Sequence, residues 1–89
     1  MIYLLWKTDG TSEDIVTEKP LELEEMQKLV GGYIEMVWRG QPYKSHCLMV
    51  NEEGLLQGLP VNKKFPQIVG NAIEGQMVKG KDGYDFVGF

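Results

Sequence analysis

Residues 20–39 read Pro-Leu-Glu-Leu-Glu-Glu-Met-Gln-Lys-Leu-Val-Gly-Gly-Tyr-Ile-Glu-Met-Val-Trp-Arg, a helix pattern that gives way to a strand pattern across a double glycine. Leu23, Met26, Leu29 and Val30 recur at helical spacing and form one apolar stripe. Glu22, Glu24 and Glu25 crowd the first turn, where carboxylates complement the positive end of the helix dipole, and Lys28 lies near the last turn, where a cation is favoured. Gly31-Gly32 supplies the left-handed residue that ends a helix. From Tyr33 to Arg39 the period becomes two, with Ile34, Met36 and Trp38 on one face and Tyr33, Glu35, Val37 and Arg39 on the other. A helix of about ten residues is marginal alone, so it must be held against a sheet, and Ile34, Met36 and Trp38 are expected to meet it.

The remainder supplies strands for that sheet. Residues 1–8 alternate Ile2, Leu4 and Trp6 against Tyr3, Leu5 and Lys7, apolar on both faces and suited to a covered strand. A turn at Asp9-Gly10-Thr11-Ser12 leads to a short second strand over residues 13–17. Residues 44–51 form another, with His46, Leu48 and Val50 opposite Cys47 and Met49, and Asn51-Glu52-Glu53-Gly54 turns the chain into a short return strand over residues 55–59. Two prolines make residues 60–67 a loop or a single helical turn. Residues 68–73 read as a buried strand bent at Gly70, continued by residues 76–79, and residues 84–89 pair back after a turn at Lys81-Asp82-Gly83. The expected fold is one domain over residues 1–89, of class α+β: a small mixed or antiparallel sheet of about five to six strands with one main helix packed on one face.

Composition narrows function mainly by exclusion. The net charge is −4, and the first 30 residues hold seven acids against three lysines while the rest are balanced, so no basic stripe exists to engage phosphates and nucleic-acid binding is not expected. No apolar run approaches the roughly 20 residues of a membrane span, and Met-Ile-Tyr-Leu-Leu-Trp lacks the basic flank of a signal peptide, so no membrane role is expected and the chain is read as cytoplasmic. The single cysteine, Cys47, excludes an intrachain disulfide and a cysteine-based zinc site; its neighbour His46, the only histidine, projects to the opposite strand face. Gly31-Gly32 follows a helix instead of opening one, and Gly80-Lys81 lacks the upstream glycine of a phosphate loop. No Ser, His and Asp set is apparent, and neither a cofactor nor a metal is expected.

Three blocks in series, residues 23–35, residues 50–62 with their Asn-Glu-Glu-Gly and Gly-Leu-Pro-Val-Asn runs, and Ile68-Val69-Gly70-Asn71-Ala72, resemble a family of small uncharacterised proteins of phages, mobile elements and large DNA viruses, a domain of unknown function. The resemblance covers residues 21–73. It implies a viral or mobile-element protein acting in the cytoplasm of an infected host cell, and it carries over no catalytic residue. Its matching polar positions are Glu35, Asn51, Asn62 and Asn71.

Those four are the candidate ligand- or partner-binding residues. Glu35 points away from Ile34, Met36 and Trp38, where it lines a pocket or contacts a partner's cation, or else is simply a solvated strand carboxylate. Asn62 and Asn71 either present amides from irregular loops or cap turns. With no catalytic constellation, the expected function is a non-enzymatic accessory module that binds a host protein, through an exposed sheet edge or the acidic helix face, or sequesters a small ligand. The alternatives are a small metal-independent hydrolase or nucleotide-modifying enzyme using Glu35 with Asn62 or Asn71, and a self-assembling structural component; weak association into a homodimer is expected.

Overall fold

A computed structural model describes all residues, 1–89. The helix, α1, spans Leu23–Val30. The Glu25 carboxylate accepts from the Glu22 N–H at 3.1 Å, and Gly31, at φ 84°, ends it by donating to the Gln27 carbonyl at 2.8 Å. Two asparagine amides take up last-turn carbonyls: Asn51 donates to Val30 O at 3.1 Å and Asn71 to Leu29 O at 3.3 Å. Met26 and Val30 are buried and Leu29 packs beside them, but Leu23 is exposed. A side chain at the first helical position leans back past the end of the helix, and Leu21, in the extended chain before the cap, fills the core instead.

Six strands, β1 (Ile2–Trp6), β2 (Ser12–Val16), β3 (Ile34–Trp38), β4 (His46–Asn51), β5 (Ala72–Gly80) and β6 (Gly83–Val87), form one open, wholly antiparallel sheet. The order is β2-β1-β5-β4-β3, and β6 pairs with the far half of β5. The fold is α+β, as the patterning predicts. No helix is long and apolar enough to cross a membrane.

Each sheet face carries a core. On one, Tyr3, Leu5 and Ile73 meet Leu21, Met26 and Val30, and the Tyr3 hydroxyl accepts from the Leu21 N–H at 3.0 Å. On the other, Leu48, Val50 and Ala72 are covered by Phe65 and Ile68 from the irregular chain between β4 and β5. Of the three β3 residues expected under the helix, only Ile34 packs there; Met36 and Trp38 stay 39% and 54% exposed. Eight helical residues span about 12 Å, too short to cover the strand's far end.

Two other expectations need correction. Residues 55–58 lie in turns and Leu59 in irregular chain, with Leu55 and Leu56 exposed, so there is no return strand. β4 already has β3 on one side and β5 on the other, so no free edge remains for a hairpin partner. The strand read over residues 68–73 begins only at Ala72 and then runs through Gly75 without a break. Gly75 is there for close approach: a Cβ would lie 2.6 Å from the Val87 carbonyl and 2.7 Å from the Phe86 ring.

Candidate functional site

Two features stand out once the strands are aligned: a buried carboxylate at the centre of the sheet, and an unprotected strand edge. Glu74 sits in β5 opposite Leu4 of β1 and Leu48 of β4, on the face away from the helix, and is 1% exposed. A carboxylate so placed must find donors, and three converge on it. Trp6 Nε1–H donates to Oε1 at 2.9 Å, Arg39 donates to Oε2 at 3.0 Å, and His46 Nδ1 lies 2.9 Å from Oε2. His46 thus faces Glu74 through Nδ1, and its Nε2 has no hydrogen-bond partner in the protein.

Aromatic rings pack against the Arg39 and His46 side chains. The Arg39 guanidinium carbon lies 3.9 Å from the centre of the Tyr43 ring, and His46 is flanked by Tyr43 and Phe89 at ring separations of 5.2 and 4.6 Å. Trp6 meets Phe65 edge-on at 5.8 Å. Glu74 thereby joins β1, β4 and the residue just past β3 through side chains that lie far apart in sequence. No third acidic, cysteine or histidine donor joins His46 and Glu74 in a metal-like group. Cys47 projects to the opposite face and is buried, and its thiol is pushed above the usual 9.0 by desolvation, against a smaller opposing effect of the Met77 backbone.

The second feature is the outer side of β3. Arg39 N–H bonds His46 O and Glu52 N–H bonds Tyr33 O, which sets the parity of the β3–β4 ladder. Residues 33, 35, 37 and 39 spend their backbone groups on β4, so the N–H and C=O of Ile34, Met36 and Trp38 face outward with no neighbouring strand. On the helix face this edge is flanked by the exposed Met36 and Trp38. On the other it borders a groove of about 220 Å³ lined by Glu35, Val37, Val50, Leu55, Ile68 and Val69 among others. Glu35 and Glu52 are the only charged residues lining it.

The four sequence-predicted site residues divide along these lines. Glu35 is exposed and lines the groove; Asn51 also borders it but is buried and spends its amide on Val30 O and Gln57 Oε1, while its oxygen accepts from Glu53 N–H at 2.8 Å. Asn62 is fully buried, donating to Trp6 O and Gly70 O and accepting from the N–H groups of Lys64 and Phe65, so it pins the segment that covers the second face. Asn71 is tied to the helix. Asn62 and Asn71 do not line the groove that holds Glu35. Sequence reading missed Glu74 and Arg39, and saw His46 without an acid. The available signal is a carboxylate at an inward position of an apolar alternation, one residue past the strand end that the pattern predicts at Ile73.

A family model described as a domain of unknown function, DUF3846, matches residues 3–85. No curated protein and no solved structure matches the chain.

Proposed function

The chain belongs to the DUF3846 family, and we propose that it acts as a non-enzymatic interaction module that takes up another polypeptide as an added strand along β3. The observation that carries this is the row of outward backbone groups at Ile34, Met36 and Trp38, bordered by apolar side chains on one face and a groove on the other. Main-chain hydrogen bonds supply affinity in such an addition, and alternate side chains, dropping beside Val37 or against Met36, supply selectivity. The viral or mobile-element setting implied by the sequence resemblance, in a host cytoplasm, suits a module that engages a host protein.

The test compares capture from host lysate by the native chain and by Met36→Pro. Proline here removes an outward N–H and none of the β4 ladder, so the sheet persists while the edge is blocked. A protein captured by the native chain and lost from the variant, with slowed hydrogen exchange at Ile34, Met36 and Trp38 in the complex, is the expected result. Capture that Met36→Pro leaves unchanged sinks the reading.

A second reading has one observation in its favour. Glu74 fixes the His46 ring through Nδ1 and leaves Nε2 without a protein partner, the orientation a general base needs in a small hydrolase. Ester or phosphodiester turnover that vanishes in a folded His46→Gln variant would establish it, and the absence of turnover across such substrates would remove it.

A further inference from the structure

We infer that the strand added at β3 is β3 of a second copy, antiparallel about a two-fold axis at Val37; this rests on the strand-addition reading above. The argument is the self-complementarity of the five residues. With the axis at Val37, each copy's Met36 lies opposite the second copy's Trp38, and these are residues whose backbone groups face outward and can bond. The same register sets each Glu35 directly opposite the second copy's Arg39, so two cross-strand pairs of opposite charge form on the groove face.

Neighbouring registers lose this. An axis at Glu35 sets the two carboxylates against each other, and one at Met36 sets Glu35 against Val37. An axis at Trp38 sets Glu35 against Gln41. Among these four, only the Val37 axis pairs opposite charges directly. The Arg39 guanidinium is turned inward across β4 to Glu74, so it attracts the second copy's Glu35 through its charge across the edge rather than by direct contact. Met36, Trp38 and their symmetry mates form one apolar cluster on the helix face, burying residues that an eight-residue helix leaves open. A small domain gains stability from such association, and an interface of this extent is weak and concentration-dependent.

Sedimentation velocity of the full chain over a wide concentration range, combined with cysteine cross-linking, tests this. Across the new interface Val37 forms a pair without mutual hydrogen bonds, whose Cα atoms lie about 4.5 Å apart, within disulfide range. Val37→Cys is therefore expected to give a disulfide-linked dimer under mild oxidation and Met36→Cys is not, with buried Cys47 contributing no cross-link of its own. Glu35→Lys turns two attractive pairs repulsive and is expected to weaken the native dimer by about tenfold. Preferential cross-linking at Met36→Cys overturns the Val37 axis. A chain that stays monomeric at every concentration overturns the second copy while leaving strand addition by a host protein standing. A dimer that Met36→Pro does not disturb overturns β3 as the interface between copies, while strand addition by a host protein stands or falls on the capture experiment.

Discussion

β2 and β3 close opposite sides of one sheet, each five residues long and each paired with a single neighbour, yet they manage their open sides differently. In β2, the bonds from Thr17 N–H to Met1 O and from Lys7 N–H to Thr11 O turn the backbone groups of Ser12, Asp14 and Val16 outward. A carboxylate thus stands at the middle of that edge, and Glu13 beside it sits 3.5 Å from Lys7. β3 turns Ile34, Met36 and Trp38 outward instead. Charges on an edge discourage pairing with another chain, whereas an apolar edge invites it. One side of the sheet is a protected boundary and the other an unfinished one.

The strongest challenge to this contrast goes through Glu74, which ties Trp6 of β1, the neighbour of β2, to Arg39 at the end of β3. Glu74→Ala leaves the Arg39 charge without its buried partner, and a loss of about 3–5 kcal/mol is expected in urea unfolding. A loss below about 1 kcal/mol would mean that the two sides are not joined through this carboxylate. Next in size is Asn62→Ala, which strips four hydrogen bonds from the segment carrying the groove wall; about 2–3 kcal/mol should go, while Glu35→Ala at the groove rim stays within about 0.5 kcal/mol. Equal effects would erase the distinction between the pinned asparagine and the open glutamate.

Exchanging the character of the edges tests the comparison directly. Asp14→Val should leave stability within about 0.5 kcal/mol but introduce concentration-dependent association at β2, measurable by light scattering. If the variant scatters as the native chain does, the carboxylate is not what protects that edge. The smallest effect lies in the turn feeding β2. The Asp9 carboxyl is held below its usual 3.8, first by the Thr11 hydroxyl and then by the Thr11 N–H. Its folded pKa is depressed, so the stabilisation is present above 3.8 and fades as pH falls through the folded value. Thr11→Val should flatten that part of the acid titration, followed by the Asp9 carboxyl resonance.

Local patterning carried much of the architecture. The helix at residues 23–30 follows from a 3.6-residue stripe, its acidic first turn and Gly31, and β1, β3, β4 and β6 follow from alternation bounded by turn residues. Failures came where a strand's existence depends on vacancy elsewhere. Residues 55–59 have strand-like composition, but β4 has no side left for them. The candidate residues divided the same way. Asn62 and Asn71 were visible as polar residues in irregular chain, yet their bonds to Gly70 O, Trp6 O and Leu29 O depend on which segments the fold brings beside them.

By itself, then, the sequence determined the class of fold, the helix and its stop, and the two-sided character of β3, because these depend on interactions within a few residues. Tertiary structure decided that β3 is an edge, which of its backbone groups face outward, and that Glu74 meets Trp6, Arg39 and His46. Strand order is a competition among partners distant along the chain, and a buried carboxylate takes its meaning from donors contributed by other strands. Neither is encoded in the spacing of neighbouring residues.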